Sequence, residues 1–260
     1  MYTGMPKASV VLSLVRMLQR FELNYYGNWT VSKICLEDQV FLTLMKLRLN
    51  TPHLDLAIRF GISTTTAANI FTTVVCALHE ILFLSCMSKV PSRCKVVACL
   101  PECFSSFCNC RQVWDCTEVE IEVPRTDLEA QRLTYSHYKS CNTFKALVSI
   151  TPNGTIQFCS KLFTGNTSDK EIVIRSGVLD TCEVGDMILA DKGFLVRDIL
   201  PAGVTLNIPS FLNAPSKQFT DNQALSNRTI SRARIHVERS IQRIKEFNIL
   251  DCIPAHHRTI

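Results

Sequence analysis

Two short apolar runs rich in β-branched residues each carry one aspartate, Val113-Trp114-Asp115-Cys116-Thr117 and Ile188-Leu189-Ala190-Asp191-Lys192-Gly193. A third carboxylate, Glu238, sits in a basic helical pattern, Arg234-Ile235-His236-Val237-Glu238-Arg239. Two strands and a helix can bring these three groups together. Like charges at short range raise each other's proton affinity, and a divalent cation is the usual way to relieve them. Hard cations favour oxygen ligands, so Mg²⁺ or Mn²⁺ is the expected cofactor and metal-assisted phosphodiester chemistry the expected reaction class.

The rest of the chain is organised around that set. Residues 36–49 place Val40, Leu44 and Leu47 on one helical face, and Pro52 then starts a new element. From His53 to Thr72 the pattern suits two short helices crossing at a tight turn. Gly61 falls at the turn, Ala57 where the helices touch, and Leu56, Phe60, Ile62, Ala67 and Ile70 point inward, with Ser63 as N-cap of the second helix. This predicts a helix-turn-helix at about 36–72. Its second helix offers Thr64, Thr65, Thr66 and Asn69 to a ligand and no Lys or Arg, so phosphate anchoring is expected elsewhere.

From Gln112 the period changes to that of strands. Val113–Val123 is followed by Phe144–Ile150 and Thr155–Phe163, the latter two flanking the turn signal Pro152-Asn153-Gly154. Ser168 is expected to cap a helix running through Leu179, Met187–Ala190 to form a short strand, and Thr229–Asn248 to form a helix burying Val237, Ile241 and Ile244. That order predicts an α/β domain of ribonuclease-H-like type, a mixed sheet with flanking helices, preceded by the helical unit. The expected division is residues 1–90 for the helical region and 91–260 for the sheet domain.

Charge is unevenly distributed along the chain. Residues 1–110 carry ten Lys/Arg against six Asp/Glu, residues 111–216 ten against thirteen, and residues 217–260 eight against four. An acidic centre between basic flanks suits a metal site attended by surfaces for a polyanion. No signal peptide and no membrane-spanning run is read in the sequence, so the thirteen cysteines are expected as free thiols in a reducing compartment. Five of them, Cys94, Cys99, Cys103, Cys108 and Cys110, cluster without any paired C-x2-C spacing, and we read them as small buried or loop residues rather than a zinc site.

The residues flanking the carboxylates are more specific than the carboxylates. Asp115-Cys116-Thr117-Glu118, Tyr138-Lys139, Thr143-Phe144-Lys145, Gly165 followed by Ser168-Asp169-Lys170-Glu171, Ala190-Asp191-Lys192-Gly193-Phe194, Asn207-Ile208-Pro209, and Arg234 to Arg239 with Arg243-Ile244-Lys245 together resemble the Harbinger-like DDE superfamily endonucleases, which are transposases and their domesticated relatives. Tyr2-Thr3-Gly4 and the helix-turn-helix resemble the family's amino-terminal region. The resemblance implies a nuclear, metal-dependent DNA endonuclease or transposase-derived protein. Asp115, Asp191 and Glu238 would be catalytic metal ligands, Asp169 a supporting acid, and Lys139, Lys145, Arg234 and Arg239 DNA phosphate contacts.

Family members often carry a zinc-finger module before the helix-turn-helix and continue further past the third motif. No counterpart of either is read here, and the expectation is a folded protein that either absence leaves poorly targeted or inactive, with DNA as partner and a separate DNA-binding partner or a homo-oligomer as the further candidates. Two rivals stand beside this reading. One is a domesticated DNA- or protein-binding factor that keeps the fold without the chemistry. The other is a phosphatase-like hydrolase of small phosphoesters, which the basic flanks and the helix-turn-helix disfavour.

Overall fold

The computed structural model describes residues 2–25, 29–85, 87, 90–125, 127–211 and 218–254, and its chain divides into two units. One comprises Met1–Ser88 with Lys245–Cys252, the other Lys89–Ile244 with Ile253–Ile260. Residues 86, 88 and 89, in the segment where the domain boundary was expected, lie outside the described residues.

The first unit is helical: α1 (Ala8–Leu18), α2 (Leu36–Leu49), α3 (His53–Phe60) and α4 (Thr64–Leu78). The span of α2 is the predicted one, with Glu37 and Asp38 in its first turn and Lys46 and Arg48 in its last, the arrangement its dipole favours. Gly61 closes α3 at φ 64°, a left-handed conformation that needs no Cβ, and the Ile62 amide bonds back to the Ala57 carbonyl at 3.0 Å. Two residues on, the Ser63 hydroxyl accepts the Thr66 amide at 3.0 Å and starts α4. Val40, Leu44, Leu56, Ala57, Ala67, Ile70 and Val74 form the core between these helices. Helix α4 runs on through a π-helical stretch, His79–Leu84. The continuous helix Thr64–Leu84, with a mean hydropathy of 1.7, is long and apolar enough to cross a membrane by length and composition, contrary to the sequence reading. Neither Glu80 nor the threonines outweigh its Ile, Phe, Val and Leu residues. Its buried side, however, includes polar Asn69 and Thr73, in keeping with a helix packed in a protein core.

The second unit begins with α5 (Arg93–Ala98) and continues with β1 (Cys110–Ile121), α6 (Leu128–Thr134), β2 (Tyr135–Ser136), β3 (Cys141–Ile150), β4 (Ile156–Cys159), β5 (Phe163–Thr164), α7 (Asp169–Ser176), β6 (Met187–Ala190), β7 (Thr205–Asn207) and α8 (Asp221–Lys245). Strand β3 pairs antiparallel with β1 on one side and with β4 on the other, while β6 and β7 add in parallel beyond β1. The order β4-β3-β1-β6-β7 is the mixed, ribonuclease-H-like arrangement expected.

Alternation along the strands divides two cores. Val113, Val148, Ile150 and Leu189 face α8 and pack on Ile230, Ala233 and Val237. Trp114, Leu147, Ile188 and Ala190 face α7 and pack on Ile172 and Val173. Within β1 the Trp114 indole donates to Gln112 Oε1 at 2.8 Å, and from β3 Ser149 Oγ donates to the same oxygen at 3.0 Å, so this buried amide is not left unpaired.

Two helix boundaries depart from expectation. Ser168 caps α7 as predicted, accepting the Glu171 amide, but the helix stops at Ser176 because Gly177 turns left-handed at φ 80° and a 3₁₀ turn follows. Helix α8 starts eight residues before Thr229, its polar first turns giving no apolar periodicity to read, and ends at Lys245. Of the five clustered cysteines only Cys110 is buried. Cys103 is half-buried with its Sγ 3.3 Å from His236 Nε2, and Cys94, Cys99 and Cys108 are exposed, a mixture of the buried and loop positions expected.

Candidate active site

Strand register sets the two aspartates. Val113 pairs with Leu189 across the parallel β1–β6 ladder, and Asp115 and Asp191 each stand two residues further along their strands. Side chains two apart share a face, so both carboxylates emerge on the α8 side at the same level. Val237 anchors α8 in the core below that face, and the neighbouring residue Glu238 projects beside it. Arg234, one turn earlier on α8, meets all three acids. Its guanidinium lies 2.9 Å from Asp191 Oδ1, 3.9 Å from Asp115 Oδ2 and 3.9 Å from Glu238 Oε1.

The arrangement is graded in exposure. The side chains of Arg234, Asp115, Asp191 and Glu238 are 11%, 21%, 51% and 56% exposed, so the site deepens from Glu238 toward Asp115. Burial pushes the Asp115 carboxyl from its ordinary 3.8 up to about 6. The Arg234 charge opposes that rise, whereas Asp191 and Glu238 add to it. A cation arriving among these groups would therefore relieve a real electrostatic cost.

Beneath Asp115, on the opposite face of β1, burial pushes the Cys116 thiol well above its ordinary value, and it remains protonated. Asp169 lies close to this thiol and forms a 2.6 Å ion pair with Lys145 of β3. Burial pulls the Lys145 ammonium down, but its hydrogen bond to Asp169 and the Asp169 charge together outweigh this and leave it raised.

In type, the donor set suits a hard divalent cation, since it consists of three carboxylates converging on one positive charge. In the arrangement described, that charge is the Arg234 guanidinium. Among the described residues no three carboxylates, imidazoles or thiolates stand close enough together to hold an ion.

The residues read as phosphate contacts divide accordingly. Arg234 and Lys145 are turned to carboxylates, while Lys139, stacked over the Tyr138 ring at 5.1 Å, and Arg239 are exposed. His236 is half-buried against Phe104, and burial, with the Arg239 charge, lowers its pKa. In the helical unit Asn69 is buried and accepts from Thr73, which removes it from the surface that α4 offers to a ligand. Thr64 and Thr65 stay exposed.

Sequence reasoning missed the part Arg234 plays at the centre of the acids, although its spacing of four from Glu238 is that of a helical ion pair. It also missed Asp186, which is fully buried and held by Arg93 at 2.8 Å and by Arg111 at 2.9 Å. No local pattern marks that residue, because its partners lie 93 and 75 positions away.

The profile of the DDE superfamily endonuclease family matches residues 114–260, more than half of the chain, from the Trp114 that precedes the first aspartate. The protein belongs to the DDE superfamily endonucleases. The helix-turn-helix of DDE superfamily endonucleases matches residues 32–83, which takes in α2 to α4 and most of the apolar helix Thr64–Leu84. No curated protein and no solved structure matches the chain. This DDE endonuclease is thus of transposase type, with a helix-turn-helix ahead of the catalytic fold.

Proposed function

We propose that this DDE endonuclease is a nuclear, divalent-metal-dependent DNA nuclease of the Harbinger-like branch, with Asp115, Asp191 and Glu238 as its metal ligands. The observation that carries this reading is the convergence of three carboxylates, from β1, the end of β6 and α8, on a single cationic centre. Bound Mg²⁺ or Mn²⁺ would supply an activated water or terminal 3′-hydroxyl and neutralise charge at the leaving oxygen and the phosphoryl group. The chain's own residues prepare the place. Asp115 offers a half-desolvated oxygen whose basicity is raised by burial, and Glu238 offers an accessible one on the solvent side. Arg234 balances the acids, and the Asp169–Lys145 pair fixes the floor next to Cys116. The three carboxylates would hold the cation in place of the Arg234 guanidinium, and Lys139 and Arg239, both exposed, would reach phosphates.

The test is nicking of labelled duplex DNA in Mn²⁺, Mg²⁺ or EDTA by the wild type and by an Asp115→Asn/Asp191→Asn/Glu238→Gln variant. Metal-dependent nicking that the variant lacks is expected. A pure, folded protein that binds DNA but shows no nicking in either metal would instead be a binding factor that kept the fold.

A further inference from the structure

Helix α8 does more than carry Glu238. At 100° per residue, Arg228, Arg232, Arg239 and Arg243 fall within an arc of about 60°, roughly opposite the buried stripe of Ile230, Ala233 and Val237. All four are exposed, and none takes part in an ion pair among the described residues. Arg228 and Arg232, like Arg239 and Arg243, are like charges one turn apart, an arrangement that weakens a helix and that packing does not require. The helix contains only two acids, Asp221 at its start and Glu238, and the latter is already engaged by Arg234. The contrast with Arg234 is informative. The arginine facing the acids is neutralised, while the four facing outward are left as an uncompensated row.

The row spans about 22 Å along the axis at 1.5 Å per residue. Duplex DNA presents one negative charge per ~1.7 Å, so a polyanion of that kind is available to every arginine in the row, whereas a small phosphoester reaches only one or two. Glu238 lies on the flank of the helix between Arg232 and Arg239, so a backbone following the row passes beside the carboxylate set.

We propose that Arg228, Arg232, Arg239 and Arg243 form a track on the outer face of α8 that binds the phosphate backbone of duplex DNA without reading its sequence. The track rests on the nuclease reading for its purpose but not for its binding. The helix-turn-helix lacks cations on the exposed part of its second helix, and the α8 track supplies the phosphate anchoring missing there.

The test is the salt dependence of binding by the full chain to a 30-base-pair duplex of arbitrary sequence, measured by fluorescence anisotropy in EDTA, where no chemistry occurs. Each phosphate neutralised contributes about −0.9 to the slope of log affinity against log salt. An Arg228→Gln/Arg232→Gln/Arg239→Gln/Arg243→Gln variant should have a slope shallower by about 3–4 and bind at least about tenfold more weakly in low salt. Glutamine keeps helix propensity near that of arginine, and circular dichroism checks that α8 persists. The control Arg175→Gln, an exposed arginine of α7, should leave the slope as it is. An unchanged slope in a folded quadruple variant, an equal change in the control, or absence of wild-type binding at low salt would overturn the track. Nicking in Mn²⁺ separates the two readings. Loss of slope without wild-type nicking removes the nuclease and keeps the track, while nicking with an unchanged slope does the reverse.

Discussion

Asp115 is the residue on which the electrostatics turn. Its carboxyl titrates near 6 when folded and near 3.8 when free, so the folded state holds the proton more tightly. The stability this contributes is present in full below about pH 3.8 and is lost as the pH rises through about 6. Above that pH the metal-free protein holds an ionised, desolvated carboxylate. Asp115→Asn should therefore be more stable than the wild type at pH 8 in EDTA, by about 1–3 kcal/mol, with no such gain at pH 4. Urea unfolding at the two pH values measures this. Arg234→Gln should act in the opposite sense. Without the guanidinium the three acids are unbalanced, and the variant should lose about 1–3 kcal/mol at pH 8 and less at pH 5, where Asp115 is largely protonated. Equal loss at both values would mean that Arg234 acts through packing instead. Saturating Mn²⁺ should restore part of the loss, because the ion supplies the missing charge.

At the scale of elements, what was legible in the sequence is what rests on local chemistry. The span of α2, the Ser63 and Ser168 caps, the turn at Gly61, the strand Met187–Ala190 and the sharing of a sheet by Asp115 and Asp191 all follow from patterns a few residues long. What was not legible depends on distant partners. The start of α8 is polar and takes its helicity from docking further along, and Arg234 was read as a phosphate contact because its role depends on where β1 and β6 place their acids. The starts of β1 and β6 are held in register by Asp186 between Arg93 and Arg111, at the strand ends opposite the site. Asp186→Ala would leave the buried Arg111 without this partner and should cost about 3–5 kcal/mol, checked by chemical denaturation. A loss below about 1 kcal/mol would show that the network does not set the register. Gly165 is a second fixed point, since a Cβ there would run into the Thr143 side chain and the Thr134 carbonyl. Gly165→Ala should cost about 1–3 kcal/mol through overpacking, against about 1 kcal/mol for loss of the cap in Ser63→Ala.

At the scale of the whole molecule, a chain of net charge +5 keeps its excess of acids in the middle and its excess of bases toward the ends. The sheet unit uses that distribution at close range. Its α8 turns one arginine inward to three carboxylates and four outward to solvent, so under the proposed reading a single helix would serve both a cation site and a polyanion surface. The helical unit contributes a helix-turn-helix with exposed Thr64 and Thr65 and a buried Asn69, a surface suited to shape rather than to strong phosphate attraction. The proposed chemistry depends on Asp115, Asp191 and Glu238 acting as one metal site. Calorimetric titration of the full chain with Mn²⁺ at pH 8 tests that most directly. Asp115→Asn, Asp191→Asn and Glu238→Gln should each weaken binding by at least about tenfold. Glu246→Gln, which removes only an exposed partner of Arg48, should match the wild type. Unaltered Mn²⁺ affinity in all three triad variants, or an equal loss in Glu246→Gln, would contradict the account.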